Sequence, residues 1–228
     1  MVRVALAAAS LSLVACNGDF NDRYHEQFHQ AVAASATASV RVENIAGTVR
    51  VEGWPRSGVD VEATKYGYDA SDVRSIAIVV TSTQAGVTIT SRYARGVHGG
   101  GVRYRIRVPS GASLQVENTA GAVDVADVGG NLGIETEAGE ITADAGRVDG
   151  SRSIDLRATT GAVTLYVAPG SSARVDASST VGDFSSNVPG ISSQRENLVG
   201  ARGGGTIGTG AGRIRLSTTT GAITLRER

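Results

Sequence analysis

The chain of 228 residues has a single cysteine, so no internal disulfide can staple it. Aromatic residues make up only 4%, too few for the stacked platforms of a sugar-binding cleft. Neither sign of charge is in excess: Lys plus Arg and Asp plus Glu both number 22. That balance argues against a general polyanion binder while leaving room for a local basic patch. The apolar stretch from Val4 to Ala15 is too short to span a bilayer.

What the chain has instead is glycine, 30 residues of it against 4 prolines, together with abundant Val, Thr, Ser and Ala. Glycine at this level without a collagen period points to many tight turns. Small β-branched residues between the turns point to many short strands. The length suffices for one domain with a sizeable core.

The N-terminus carries the most specific motif. Arg3 gives a short positive region, Val4 to Ala15 has the length of a signal-peptide core, and the segment closes on Leu13-Val14-Ala15-Cys16. This resembles the bacterial lipobox, in which a small residue precedes an obligatory cysteine. The resemblance implies cleavage after Ala15 and lipidation of the Cys16 thiol. Asn17 would then be the second mature residue, which by the same resemblance favours the outer membrane, with the periplasmic or surface face left open. The expected organisation is a signal peptide over 1–15, a lipid-anchored tether and leading strand over 16–38, and a single β-repeat domain over 39–228.

One pattern recurs along the mature chain. Residues 42–51 read VENIAGTVRV, 116–125 VENTAGAVDV, 134–143 IETEAGEITA, 156–165 LRATTGAVTL and 216–225 LSTTTGAITL. A distorted copy, VDASSTVGDF, starts at Val175 with one extra residue before Gly182. Alternating apolar positions, such as Val40 with Val42 and Val49 with Val51, define period-two strands with one buried face. The glycine of each copy (Gly47, Gly121, Gly139, Gly161 and Gly221) supplies positive φ, or room for close approach, at a corner. Two strands cannot bury an apolar face alone, whereas stacking successive repeats does. Asn44, Asn118, Thr136 and Thr218 sit beside the corner glycines, where side chains of neighbouring coils could pair. The predicted fold is therefore all-β, a right-handed β-solenoid (a β-helix or prism-like stack), with a β-sandwich of antiparallel hairpins as the alternative.

The segments VRVENIAGTVRVEGW at 40–54, IRVPSGASLQVENTAGAVDV at 106–125 and IRLSTTTGAITL at 214–225 resemble the bacterial "putative adhesin" family of β-strand-repeat lipoproteins, a domain-of-unknown-function group. The Val-Pro-x-Gly step recurs imperfectly as VAPGSSARV at 167–175. The resemblance spans about the whole mature chain and implies a stacked right-handed β-helical fold at the cell envelope. It carries no chemistry. The chain departs from the pattern near Gly182 and in a long insert at 187–212.

Residues 59–108 are less repetitive. Ile76, Ile78 and Val80 alternate, as do Val87 with Ile89, and Val102, Tyr104, Ile106 and Val108. These read as longer strands joined by turns at 84–86 and 96–101, the second a flexible candidate contact loop.

Few motifs point to chemistry. His25-Glu26-Gln27-Phe28-His29 is a literal H-E-x-x-H, which binds zinc only when a helix puts both histidines on one side. No long apolar-periodic helix surrounds it, and a leading strand with Tyr24 and Phe28 on one face is the better expectation. Adventitious metal binding by His25 and His29 stays open. Gly203 to Gly208 matches G-x-G-x-x-G, but a strand follows it where a helix is required, so it reads as a flexible insert. The carboxylates Asp124, Asp127, Glu135, Glu137, Glu140, Asp144, Asp149 and Asp155 could line one face, as in β-helical carbohydrate-active enzymes. A solvated face that keeps the stack soluble is the simpler reading. The one basic cluster is Arg92, Arg95, Arg103, Arg105 and Arg107. Its strand members share a face opposite Tyr104 and Ile106, suited to phosphate or carboxylate groups or to blunting a sheet edge.

The sequence thus predicts a non-catalytic envelope lipoprotein, an adhesin or interaction module. It needs no cofactor or metal. Its partners are the membrane, through the lipid anchor, and an envelope polymer or protein, with no specific nucleic acid. A polysaccharide-active enzyme is the alternative.

Overall fold

The computed structural model describes residues 23–95, 99–196 and 199–228. Cys16 and the segment 1–15 lie outside the described residues, as does His98. In chain order the first strands are β1 (Tyr24–Val32), β2 (Ser39–Ala46), β3 (Val49–Trp54) and β4 (Val59–Gly67). A six-residue helix follows, α1 (Ala70–Ser75), then β5 (Ile76–Thr83), β6 (Gly86–Tyr93) and β7 (Gly101–Pro109). The repeats supply β8 (Ser113–Ala120), β9 (Val123–Ala126), β10 (Leu132–Ala138), β11 (Ile141–Asp144), β12 (Ser153–Thr160) and β13 (Val163–Val167). The chain ends with β14 (Ala173–Val181), β15 (Phe184–Ser186), β16 (Ile191–Glu196), β17 (Gly200–Ile207), β18 (Gly212–Thr220) and β19 (Ile223–Glu227).

These strands form two sheets. One runs β1-β4-β7-β3-β9-β11-β13-β19-β15, the other β16-β17-β14-β18-β12-β10-β8-β2-β6-β5. Within each, seven consecutive strands are parallel, from β7 to β15 and from β6 to β14. Antiparallel strands close both ends: β4, β1 and β5 at one, β17 and β16 at the other. The fold is a β-solenoid, and the parallel core excludes the antiparallel sandwich.

The core is a set of stacked rows. Inward residues in register across one sheet run Val87, Val40, Leu114, Leu132, Ile154, Ile214 and Val175. Facing them are Tyr104, Val49, Val123, Ile141, Val163, Ile223 and Phe184. All fourteen are buried in one hydrophobic cluster. Deleting such a side chain costs about 2–5 kcal/mol, because its neighbours in the row cannot close the gap.

The coil order departs from the expected succession of repeats. The β2–β3 pair lies between the β6–β7 and β8–β9 pairs, and β18–β19 lies between β12–β13 and β14–β15. The β6–β7 pair is a seventh coil that sequence pattern missed, because seven residues, 94–100, separate its two strands where the repeats have a short glycine corner. The insert at 187–212 is also structured. β16 and β17 form an antiparallel hairpin that extends the ten-stranded sheet. Residues 203–207 of the glycine-rich motif are therefore strand. A Cβ on Gly203 would lie 2.1 Å from Cε1 of Phe184, so the bare backbone there makes room for the ring that ends the core row.

The corner glycines stack in a column. A Cβ built on Gly121 would meet the carbonyl oxygen of Gly47 at 2.3 Å, one on Gly139 that of Gly121 at 2.1 Å, and one on Gly221 that of Gly161 at 2.1 Å. Gly47, Gly121, Gly161 and Gly221 also have φ between +113° and +150°. Gly139 does not, so there close approach alone requires glycine.

Candidate functional site

Beside the glycine column runs a buried polar chain. Asn44 Nδ2 donates to Asn118 Oδ1 at 3.0 Å, and Asn118 Nδ2 donates to the Gly121 carbonyl at 2.8 Å. Ser91 Oγ donates to Asn44 Oδ1 at 2.9 Å and lies 2.7 Å from Tyr104 OH. With its hydrogen committed to Asn44, Ser91 accepts from the phenol. Burial pushes the Tyr104 phenol up to about 12, so it stays protonated and donates. Thr218 and Ser179 continue the column by donating to Gly161 and Gly221 carbonyls. The side-chain pairing between coils expected at these positions is present for Asn44 and Asn118, where its role is structural, but Thr218 bonds backbone and the buried Thr136 hydroxyl has no hydrogen-bond partner among the described residues.

The basic cluster is divided. Arg103, Arg105 and Arg107 point outward from β7, opposite buried Tyr104 and Ile106. β7 lies inside the nine-stranded sheet, between β4 and β3, so these arginines do not blunt an edge. Arg92 faces outward from β6 in the other sheet, and Arg95 follows in the turn beyond β6. The first three also differ among themselves. Arg107 bonds Asp60 and, at 2.9 Å, Glu62, and its guanidinium lies 5.2 Å from the Trp54 ring centroid. Arg103 lies 4.1 Å from the centroid of Tyr66. Arg105 makes no ion pair or hydrogen bond among the described residues, although Glu62 on β4 and Arg50 on β3 are its register neighbours.

Asp60, 7% exposed, is the anchor of this region. Its Oδ1 lies 2.7 Å from His29 Nε2. Burial alone would raise the Asp60 carboxyl. The hydrogen bonds from His29 and Arg107, with the Arg107 charge, outweigh that and hold it below the usual carboxylate range. Sequence reading named Arg107 and His29 but not Asp60 or Glu62. The alternation of acids on β4 with arginines on β7 was the available signal.

Around Arg105 the sheet surface forms a depression of about 460 Å³, lined by Gln27, Thr48, Arg50, Glu62, Arg103 and Arg105 among others. Arg50 is 3.4 Å from Asp124. A larger depression of about 620 Å³ lies on the ten-stranded sheet, among Glu43, Thr90, Glu117, Glu135 and Glu137. There Arg41 bridges Glu43 and Glu117, each at 2.7 Å. Its hydrogen bond holds the Glu43 carboxyl below the ordinary range, against the opposing effect of burial.

The sequence-selected carboxylates do not share one face. Glu135, Glu137 and Asp155 are on the ten-stranded sheet, Asp124 and Asp144 on the nine-stranded one. Asp144 pairs with Arg228, and Asp149 with Arg147. His25 and His29 lie on strand β1, where an i, i+4 pair is spread along an extended backbone and not gathered on a helix. Among the described residues no three of His, Cys, Asp and Glu are placed to hold a metal ion.

These features define a capped β-solenoid with a sequence-regular core and two polar outer faces. The chain belongs to the Toastrack DUF4097 family, whose model matches residues 105–226. It has the fold of a solved structure from Clostridium sporogenes, described as a putative cell adhesion protein: 10% identity, 90% of this chain and 100% of that one covered, TM-score 0.67. A putative adhesin from Bacteroides fragilis matches at 11% identity over 89% of this chain and 97% of that one, with a TM-score of 0.31. No curated protein matches the sequence.

Proposed function

We propose that the chain is a non-catalytic cell-envelope interaction module, held to the outer membrane by a lipid on Cys16. It engages anionic groups of an envelope polymer through the depression around Arg105. The observation that carries this reading is the Arg105 guanidinium, without an ion pair or hydrogen bond among the described residues, lining a polar depression with Arg50 beside it in register. Arginine forks suit carboxylate and phosphate oxygens. The lone cysteine at the lipobox position supports the anchor, and the adhesion-protein description of the Clostridium sporogenes structure agrees with a surface role.

Two measurements test it. Cys16→Ser moves the protein from the membrane fraction to the soluble one; retention after a high-salt wash overturns the anchor. The soluble Cys16→Ser chain binds lipopolysaccharide at low salt, and adding Arg50→Ser with Arg105→Ser weakens that binding. Equal binding with and without the two arginines removes this depression as the site.

A further inference from the structure

We infer that the rim formed by Arg23, Tyr24, Tyr66 and Tyr68 is a membrane-contact surface, seated in the headgroup layer of the bilayer that holds the chain's own anchor. This rests on the Cys16 lipid-anchor reading above.

Three observations converge on it. Tyr24 and Tyr68 are exposed, at 45% and 50%, and they are neighbours: Tyr24 pairs with Gly67 at the end of β4, and Tyr68 follows directly. The rim also carries two guanidinium–ring pairs, Arg23 over Tyr68 at 5.0 Å and Arg103 over Tyr66 at 4.1 Å. A phenol ring joined to a polar tip, with an arginine over its face, matches a layer that is apolar on one side and wet on the other. Finally, Cys16 and Arg23 are seven residues apart. Extended chain covers at most about 3.5 Å per residue, so the rim stays within about 25 Å of the lipidated sulfur.

Charge does not drive the contact. Asp69 and Asp72 stand at the same end as Arg23, Arg74 and Arg103, so positive charge there is largely offset. Ring insertion therefore carries the contact, and it persists in salt where a basic patch would release. A second contact beside the lipid fixes how the domain stands on the membrane, with the coil axis set relative to the surface.

The molecule supplies its own control. Its one tryptophan, Trp54, donates Nε1–H to the Gly58 carbonyl just before β4 begins, whereas Tyr68 follows the end of that nine-residue strand. The two are separated by roughly 30 Å along the strand direction. The experiment uses lipidated full-length mature protein in vesicles of phosphatidylethanolamine and phosphatidylglycerol carrying acyl-brominated lipid. Native Trp54 is compared with Trp54→Phe/Tyr24→Trp and Trp54→Phe/Tyr68→Trp, each checked for an unchanged melting temperature. Emission is expected to be largely lost at positions 24 and 68 and retained at Trp54, in low and in 0.5 M salt alike. Vesicle-bound protein with positions 24 and 68 quenched no more than Trp54 overturns the inference while sparing the anchor. Protein that fails to co-sediment with vesicles overturns the anchor and this inference with it. Loss of quenching in salt alone shows charge and not ring insertion, and also overturns it.

Discussion

A Cβ on Gly161 would stand 1.8 Å from the carbonyl oxygen of Gly139, one coil away. No side chain fits there, and φ of +145° at Gly161 disfavours one independently. The Gly139 substitution isolates the steric part, since only Gly161 has the unusual φ. Gly161→Val and Gly139→Ala are both expected to destabilise, each by upwards of about 1–3 kcal/mol, with Gly161→Val the worse. Gly133, on an outward strand position with nothing within 4 Å of a built Cβ, is the control. Gly133→Ala should leave the melting temperature unchanged or slightly higher. Urea unfolding of the three variants decides it.

Gly203 and Phe184 form a second lock at one end of the core. Gly203→Ala is expected to cost about 1–3 kcal/mol by driving a methyl into the ring. Shortening the ring with Phe184→Leu should recover part of that loss in the double variant. A double-mutant cycle checks this, and strict additivity of the two changes would show that they do not touch.

The buried Asn44–Asn118 bond predicts an asymmetry. Asn118→Ala removes the acceptor of Asn44 Nδ2 and the donor to the Gly121 carbonyl, and is expected to cost about 1–3 kcal/mol. Ala158 occupies the same column without a polar group, so Ala158→Ser should be close to neutral by comparison, within about 1 kcal/mol. Thermal unfolding of both separates a polar requirement from one of size.

Acid should loosen the β1–β4–β7 end through Asp60. Its carboxyl is held below the ordinary range, so the stability it supplies is complete above a pH of about 4 and is lost as pH falls through its folded value. Asp60→Asn should therefore be less stable than wild type at neutral pH, with the difference shrinking on acidification. Urea unfolding followed across pH reads this directly; a difference independent of pH would discount the ionised carboxylate.

The three β7 arginines are not equivalent for folding. All three take outward positions on the strand, where a side chain ordinarily contributes little to the core. Arg107 instead compensates buried Asp60, so Arg107→Ser is expected to cost on the order of 2–4 kcal/mol, while Arg105→Ser costs under about 0.5. Melting curves of the two single variants test the distinction.

Much of this fold was legible in the chain. The alternation of Val40 with Val42 and of Val49 with Val51 fixed which residues face inward, because a strand turns alternate side chains to opposite faces whatever lies beside it. The repeated glycine marked the corners, and the repeated Asn marked the polar column. The charges were harder to read. Arg103, Arg105 and Arg107 were recognised as one face, but the partners of Arg103 and Arg107 come from β4 and from Trp54 on β3, which sequence proximity does not reveal.

Sequence by itself determined the strands, their buried faces and the corner chemistry. Only the tertiary structure decided which strand lies beside which. Backbone hydrogen bonds between strands are blind to side-chain identity, and the copies at 134–143, 156–165 and 216–225 present nearly interchangeable apolar rows to a neighbour. Nothing in their pattern requires β18–β19 to enter between β12–β13 and β14–β15. The same blindness let the fold place Arg92 on one sheet and Arg103 on the other, and bring Phe184 onto Gly203 across nineteen residues of chain. Local periodicity sets the faces of a strand, but the order of stacking is a property of the whole core.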